Sequence, residues 1–270
     1  MTTTSPHDTG TEKLLVDVED GIALVTFNNE AKRNALSVEI RAALPRTLTS
    51  LQGDADVRVV VLTGAGDKAF VSGADISEFA DGRTSAEARA EFDRVAAEAG
   101  RAWRALQKPV IAMIRGFCIG GGLLTALQAD IRIASDDSQF GVPAARLGVG
   151  YGFGGVETLV GLVGPARTAE ILFSGRRLPA EEALQIGLVN RVVPPADLRA
   201  EVWDLAGTIR DNAPLTVAAC KAAIQEVGRP PERRDLDRVA GMVEACFTSE
   251  DYREGQSAFI EKRRPRFVGR

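Results

Sequence analysis

The sequence predicts an α/β fold followed by an all-helical region, and three observations lead to this class. Short apolar strands alternate with helical patterns up to about residue 193, Pro194-Pro195 marks a boundary, and only helical patterns follow it. A unit of buried strand, glycine-rich turn and helix also occurs twice, at 57–75 and at 109–124. The chain accordingly divides into three predicted parts: a disordered tail over 1–11, an α/β core over 12–195 and a helical region over 196–270.

The first elements are a predicted β-hairpin and a helix. The alternation of apolar residues with other residues over 14–18 predicts a half-buried strand. The return strand is predicted at 22–27, after the two-residue turn signal Asp20-Gly21. A polar loop follows over 28–34. Ser37 then caps a predicted helix that reaches about residue 51, and Pro45 is expected to kink or split this helix.

The later elements are predicted from continuous apolar runs for strands and from the 3.6-residue period for helices. Apolar runs at 57–63 and 109–115 are typical of strands buried on both faces of a parallel sheet. Further strands are predicted at 131–135 and 188–193. Helices are predicted at 85–106, 123–128, 168–173, 180–185, 196–210, 215–227, about 235–247 and about 251–262.

Composition and charge exclude several classes of protein. The chain has 270 residues, 45% of them hydrophobic and 26% charged, which is ordinary for a soluble globular protein. A net charge of −4 argues against nucleic-acid binding through a basic surface. No apolar run is long enough to cross a membrane, and the polar N-terminus lacks the apolar region of a signal peptide. Three widely spaced cysteines indicate reduced thiols, so we expect a cytoplasmic protein without disulfides.

The histidine content narrows the chemistry further. His7, in the predicted tail, is the only histidine of the sequence. A Ser-His-Asp or Cys-His catalytic group is therefore not expected, and neither is a zinc or other metal site. Any reaction must use carboxylates, hydroxyls, lysines or backbone amides.

Two glycine-rich turns are candidates for such backbone chemistry. Each follows a buried strand and leads towards a helix, the first at 69–76 and the second at 119–123. The start of a helix offers unpaired N–H groups, and glycine lets the backbone approach a ligand closely. Two N–H groups that converge from different loops would form an oxyanion hole for a carbonyl that becomes an enolate. The turns also fit a purely connecting role, whereas neither has the spacing of a phosphate-binding motif.

A set of short segments in fixed order resembles the enoyl-CoA hydratase/isomerase (crotonase) family. Each segment is a weak signal alone, but their order and spacing together are specific and cover almost the whole chain. The segments are NEAKRNAL at 29–36, VVVLTG at 59–64, AFVSGADISEF at 69–79, GFCIGGG at 116–122, ADIRIA at 129–134, QFGVP at 139–143, LG at 147–148, GRRLPAEEAL at 175–184, GLVNRVV at 187–193 and AFIEKR at 258–263.

This resemblance implies a fold, a ligand and an assembly. The fold would be a crotonase-like spiral of β-β-α repeats over 12–195, with a C-terminal helical trimerisation region over 196–270. The ligand would be an acyl-CoA or enoyl-CoA thioester, with coenzyme A as part of the substrate and no separate cofactor. The assembly would be a homotrimer or a dimer of trimers, that is, a hexamer.

The resemblance also implies roles for individual residues. The thioester oxygen would accept hydrogen bonds from the N–H groups of Ala74 and Gly121. The residues expected to line the coenzyme A path are Lys32 or Arg33, Ser72, Ala74, Asp75, Ile76, Gly120 and Gly121. Phe259 and Lys262 resemble tail residues that reach the coenzyme A of a neighbouring subunit.

The sequence departs from the family pattern at both glutamates that hydratases place beside the enoyl group. Leu124 stands where the pattern GGGxE has its glutamate, and Ala144 stands where GxPE has the other. Addition of water to a double bond requires one group that deprotonates water and one that delivers a proton at Cα. Neither an isobutyl nor a methyl side chain can do this, so standard hydration is expected to be very slow or absent.

Other polar residues are candidates for proton transfer. Asp75 adjoins the proposed hole, although it is also suited to cap a helix that starts near Ile76. Tyr151, in a glycine-rich loop, carries a hydroxyl that can transfer a proton, or it packs as an ordinary aromatic side chain. Glu157 and Arg146 are weaker candidates, which fit a helix start and a surface position respectively. Cys118 is expected to be a small buried filler.

Two classes of function therefore remain open at this point. The first is an enzyme that forms a CoA enolate with a nonstandard acid or base, whether as an isomerase, a hydrolase or a C–C lyase. The second is a non-catalytic acyl-CoA binding or carrier protein, because an apolar pocket binds acyl chains without reacting.

Overall fold

The computed structural model describes residues 7–75 and 86–270. In chain order the elements of this part are β1 (Leu14–Glu19), β2 (Ile22–Phe27), α1 (Val38–Gly53), β3 (Val59–Gly64), β4 (Ala69–Val71), α2 (Ala86–Ala105), β5 (Val110–Ile114), β6 (Phe117–Ile119), α3 (Gly121–Ala126), β7 (Ile131–Ser135), β8 (Gln139–Gly141), α4 (Ala144–Leu147), α5 (Phe153–Ser174), β9 (Leu178–Pro179), α6 (Ala180–Gln185), β10 (Arg191–Val193), α7 (Leu198–Arg210), α8 (Pro214–Val227), α9 (Leu236–Thr248) and α10 (Glu250–Glu261). No helix within these described residues is long and apolar enough to cross a membrane.

The larger sheet has six strands in the order β1-β2-β3-β5-β7-β10. β1 and β2 form the predicted antiparallel hairpin, with Glu19 opposite Ile22 and positive φ angles of 47° and 75° at Asp20 and Gly21. The other neighbours in this sheet are parallel. Successive residues of β3 face opposite sides, since Val60 packs in the main core and Val59 packs beneath α7. The predicted burial of this strand on both faces is therefore confirmed.

A second sheet of four short strands, β4-β6-β8-β9, positions the candidate site. The sequence interpretation treated residues 69–71 as part of a glycine-rich turn, which is wrong because they form β4 and pair in parallel with β6. Two or three residues per strand are too few to show a period of two, so this sheet has no sequence signal. Because β4 and β6 are parallel, the segments that follow them leave the sheet at the same edge.

The predictions for α1 and α5 differ from the structure, because one expected a proline to interrupt the helix and the other missed a glycine-rich helical segment. α1 begins after the predicted N-cap Ser37, whose Oγ accepts a hydrogen bond from the N–H of Ile40 at 3.3 Å. It runs through Pro45 as one helix, since its buried leucines hold it on the core, and the expected split is absent. α5 begins at Phe153, far before the predicted start at residue 168. Its glycine-rich first half conceals the helix in the sequence, and its backbone is interrupted only at Gly164, with φ 76° and ψ 167°.

The C-terminal helices are anchored to the core at two places. α7 covers the second face of the large sheet, where Leu198, Val202 and Ala206 pack. In α8, Lys221 Nζ donates to Asp130 Oδ2 at 2.8 Å, and the same oxygen accepts from the N–H of Val110 at 2.7 Å. The helical region predicted over 196–270 therefore begins with a helix that belongs to the core by its packing.

Two surface features complete the fold. Large apolar side chains are exposed on α8, α9 and α10: Ile224, Val227, Leu236, Phe247, Phe259 and Ile260. At the other end of the chain, residues 7–11 lie in the segment predicted to be a disordered tail. There, His7 Nε2 lies 2.9 Å from Asp54 Oδ2, and Thr9 Oγ1 donates to the carbonyl of Leu14 at 2.6 Å.

Candidate active site

The backbone N–H of Ala74 is presented at the edge where β4 ends. Leu36 pairs with this segment as in a parallel sheet, since its N–H donates to Gly73 O at 2.8 Å and its carbonyl accepts from Asp75 N–H at 3.2 Å. Alternate N–H groups of an extended segment point to opposite sides, so the Ala74 N–H points away from Leu36. It has no acceptor among residues 7–75 and 86–270.

The N–H of Gly121 is presented at the same edge by α3. Gly121 is the first residue of this helix, and its N–H is one of the terminal donors for which a helix has no internal acceptor. The described part of the chain supplies no other acceptor for it. A Cβ atom built on Gly121 would lie 3.6 Å from the backbone N of Ala74. The two predicted donors therefore lie side by side.

A close backbone contact fixes the position of α3 against β4. A Cβ atom built on Gly122 would lie 2.0 Å from the carbonyl oxygen of Val71, a separation that no side chain tolerates. Glycine at this position lets the helix start pack directly on the strand. The arrangement gives two amide donors, and it is suited to a carbonyl oxygen on which negative charge develops.

The loop before α1 is bonded to the segment that carries Ala74. Asn34 is fully buried, and its Nδ2 donates to the carbonyls of Ala65 at 2.9 Å and Ala69 at 2.7 Å. Ser72 N–H donates to the carbonyl of Arg33 at 3.1 Å. The sequence interpretation did not select Asn34 as a functional residue, since it is one of five polar residues in the segment 29–36 and nothing in the sequence distinguishes it.

The two basic residues of this loop point to different places. Lys32 Nζ lies 2.7 Å from Oδ2 of Asp75, beside the hole. The guanidinium of Arg33 lies over the ring of Phe117, 5.4 Å from its centroid. Of the two residues predicted to line the coenzyme A path, the structure thus brings Lys32 to the hole.

Asp75 is only 5% exposed and is paired with Lys32. The helix that it was predicted to cap, and Ile76 itself, lie outside the described residues. Ser72 and Gly120 lie at the ends of β4 and β6, next to the two donors. Ser72 Oγ also donates to the carbonyl of Lys32 at 3.2 Å.

Tyr151 is brought to the hole by the loop between α4 and α5. Its hydroxyl donates to the carbonyl of Gly120 at 3.4 Å, one residue before the Gly121 donor. Burial, and to a smaller extent the nearby Cys118 thiol, raise the pKa of the Tyr151 phenol well above its usual range. The phenol is therefore neutral at physiological pH, and its O–H is the donor in the hydrogen bond to Gly120.

Comparisons with known proteins agree with this geometry. The family model described as enoyl-CoA hydratase/isomerase matches residues 17–270. The chain belongs to this family. It is 37% identical to the crotonyl-CoA hydratase of Syntrophomonas wolfei over 96% of this chain and 99% of that protein. It is 35% identical to the carnitinyl-CoA dehydratase of Escherichia coli O157:H7 over 93% of this chain and 97% of that protein.

Solved structures of the same family share the fold. An enoyl-CoA hydratase/carnithine racemase from Magnetospirillum magneticum is similar with a TM-score of 0.89 and 36% identity, over 96% of this chain and 97% of that chain. An enoyl-CoA hydratase from Geobacillus kaustophilus has a TM-score of 0.86 and 36% identity, over 96% of this chain and 98% of that chain. The predicted crotonase-like fold is confirmed.

The two positions at which the family resemblance places glutamates, 124 and 144, carry apolar side chains in apolar surroundings. Leu124 lies three residues after Gly121 on α3, is half-buried and packs against the core. A Cβ atom built on Gly155 would lie 2.9 Å from Leu124 Cδ2 and 3.2 Å from Tyr151 Cε1. The side chains of Leu124 and Tyr151 therefore both lie against Gly155. Ala144 is the first residue of α4 and is also half-buried against the core.

The remaining candidates are exposed at the surface or unreactive. Burial raises the pKa of the Cys118 thiol well above its usual range, which agrees with a filler role. Glu157 and Arg146 are exposed, on α5 and α4. Phe259 is 86% exposed near the end of α10, and Lys262 follows as the exposed C-cap of that helix with a φ of 55°. Phe259 lines an apolar groove of about 660 Å³ between α8, α9 and α10, and no residue of the hole is among the described residues that line it.

Proposed function

We propose that this protein is an enzyme of acyl-CoA thioesters that stabilises a CoA enolate between the N–H groups of Ala74 and Gly121. The observation that carries the proposal is the convergence of these two donors, since a Cβ atom on Gly121 would lie 3.6 Å from Ala74 N. Removal of one donor from such a hole lowers kcat by about 10²–10³-fold in other enzymes. The names of the relatives, crotonyl-CoA hydratase and short-chain-enoyl-CoA hydratase, support a CoA thioester as the ligand.

Coenzyme A itself would be held along the loop that carries Lys32 and along the 72–76 segment. An ammonium group beside the hole suits the phosphates of coenzyme A, because charge-assisted hydrogen bonds to phosphate are strong. The Lys32–Asp75 pair supports this assignment, since it holds the ammonium at the edge of the site. Arg33 stays a second candidate for the same ligand from the sequence pattern.

Tyr151 is the proposed group for proton transfer. Its hydroxyl lies against the carbonyl of Gly120, and it is the polar side chain that the α4–α5 loop places beside the hole. Asp75, the other candidate, is engaged with Lys32 and would act through the position of that residue. With Leu124 and Ala144 in place of glutamates, standard hydration is expected to be slow.

The C-terminal helices are proposed to build a homotrimer, alone or stacked as a dimer of trimers. The exposed apolar side chains of α8–α10 support this, because such surfaces mark interfaces. Phe259 and Lys262 would then reach the coenzyme A of a neighbouring subunit. Light scattering of the purified protein tests the assembly, and a Phe259→Asp variant should shift it towards monomers.

The apolar side chains of Leu124 and Ala144 also favour a second candidate, a non-catalytic acyl-CoA binding protein. One experiment separates the two: the pure protein is incubated with a pool of CoA thioesters in D₂O, and the products are identified by mass spectrometry. An enolate enzyme is supported if the wild-type protein turns over a thioester or incorporates deuterium at Cα, and if the Gly121→Pro variant does neither. The proline removes the N–H at a helix position that tolerates it, and Gly121→Ala, which keeps the N–H, serves as the control. An unchanged pool with thioester retained on the protein supports the binding protein.

A further inference from the structure

Two of the three cysteines of this chain lie in one groove, away from the hole. Cys220 on α8 and Cys246 on α9 both line the apolar groove between α8, α9 and α10. Cys220 is exposed and Cys246 is half-buried, whereas Cys118 is fully buried in the main core. All three thiols are free. The fold therefore brings to one groove two thiols that stand 26 positions apart in the sequence.

The two thiols lie at a similar level along their helices. α8 and α9 form a helical hairpin whose turn is held by Glu226, since its Oε2 accepts from the N–H of Asp235 at 3.0 Å and its Oε1 lies 3.7 Å from a guanidinium nitrogen of Arg238. Measured from the Glu226–Arg238 contact, Cys220 is six residues back along α8 and Cys246 is eight residues further along α9. At 1.5 Å per residue, the two positions differ by about 3 Å along the helix axes.

Both cysteines also lie on the helix face that lines the groove. On α8 the lining residues 216, 219, 220 and 223 recur at spacings of three and four, and on α9 the residues 243, 246 and 247 do the same. Cys220 is flanked by Ala219 and Ala223, whose small side chains allow α9 to approach closely. No residue of α9 is buried, so a shift of this helix towards α8 disrupts no core packing.

We propose that Cys220 and Cys246 are a redox-active dithiol, which a small disulfide such as oxidised glutathione converts to a disulfide bond that ties α9 to α8. The thiolate of the exposed Cys220 attacks one sulfur of the oxidant, whose S–S bond breaks and releases one thiol. The thiolate of Cys246 then attacks the sulfur of Cys220 and releases the second thiol. The protein loses two protons and two electrons, and the oxidant is reduced to two thiols. The final bond needs Cα atoms about 4.4–6.8 Å apart, which the approach of α9 to the small α8 face provides.

The test incubates the purified full chain with oxidised glutathione and measures the intact mass and the linked peptides without reduction. We expect the loss of two hydrogens per chain and a link between Cys220 and Cys246, both reversed by dithiothreitol. Cys246→Ser should instead retain one glutathione on Cys220, because the second attack is then impossible. Cys118→Ser is the matched control and should close like the unchanged protein, since Cys118 is fully buried.

Hydrogen exchange of residues 236–248 measures what the bond does to α9. Because the disulfide limits the opening of this helix, exchange should slow by about 10–10²-fold in the oxidised protein, and Cys220→Ser treated in the same way should show no change. An unmodified mass, glutathione that stays on both cysteines, or a link between two chains would each overturn the inference. Closure of the bond with unchanged exchange of α9 would overturn it as well, since the helix would then not be tied by it.

Discussion

Nζ of Lys32 lies 2.7 Å from Oδ2 of Asp75, a carboxylate that is 5% exposed and adjoins Ala74, the proposed oxyanion donor. The two residues come from segments 43 positions apart. The pair therefore links the loop before α1 to the segment that carries Ala74, and it offsets a negative charge beside the proposed oxyanion hole.

Lys32→Met should lower both stability and kcat. Removal of the cation leaves a buried carboxylate without this partner, which costs about 1–3 kcal/mol in unfolding free energy. Because the remaining charge opposes the oxyanion, turnover should fall, and the double variant with Asp75→Asn should recover part of it. Urea denaturation and steady-state kinetics measure the two effects.

Lys13→Met is the matched control for that prediction. Lys13 pairs with Glu39 at 2.9 Å, but both side chains are exposed, so its removal should cost less than about 1 kcal/mol. Equal losses of turnover in Lys32→Met and in its double variant with Asp75→Asn would contradict the electrostatic role.

Asn34→Ala should destabilise the protein through the same loop. Two buried carbonyls, of Ala65 and Ala69, would each lose the Nδ2 donor, at a cost of about 1–3 kcal/mol for each. Asn28→Ala removes a comparable but exposed bond to the carbonyl of Glu12 and should have a small effect. Urea midpoints compare the two, and similar midpoints for both variants would show that Asn34 does not organise the loop.

Restoring both glutamates should create hydratase activity. The double variant Leu124→Glu and Ala144→Glu places an acid and a base beside an existing hole, and each such group is worth about 10²–10⁴-fold. Hydration of crotonyl-CoA, followed by loss of its enoyl absorbance, measures the gain. The glutamine pair at the same positions is the control, since amides fill similar space without proton transfer. No gain with the glutamates would mean that the site differs from that of hydratases by more than these two side chains.

Acid should release the C-terminal tail from α10. Hydrogen bonds from the Arg263 side chain and the Arg266 N–H lower the pKa of Glu254 from 4.5 to about 2. The folded pKa lies below the unfolded one, so this contribution is fully present above pH 4.5 and is lost as the pH falls through about 2. Hydrogen exchange of residues 263–270 between pH 5 and pH 2 should show the release. Glu254→Gln should expose the tail already at pH 5, and an unchanged exchange profile in that variant would refute the role of Glu254.

Most of the large sheet could be predicted from sequence because β1 alternates apolar and polar residues, whereas the central strands β3 and β5 are continuous apolar runs. The small sheet could not, since strands of two or three residues such as β4 carry no period. α5 was missed because glycines at 154, 155 and 161 lower the helical signal of a segment that tertiary contacts hold in place. Of the site, Ala74 and Gly121 followed from the motifs, but the Lys32–Asp75 and Tyr151–Gly120 contacts join segments 43 and 31 residues apart, and no local pattern encodes them.

The contact between Gly122 and Val71 has a consequence for how this chain can change over generations. Since this contact joins main-chain atoms, position 122 must stay glycine, whereas the two amide donors themselves need no particular side chain. Residues 124, 144 and 151 take no part in this contact. Substitutions at these three positions would therefore leave the two donors in place while they change the side chains that face the proposed substrate.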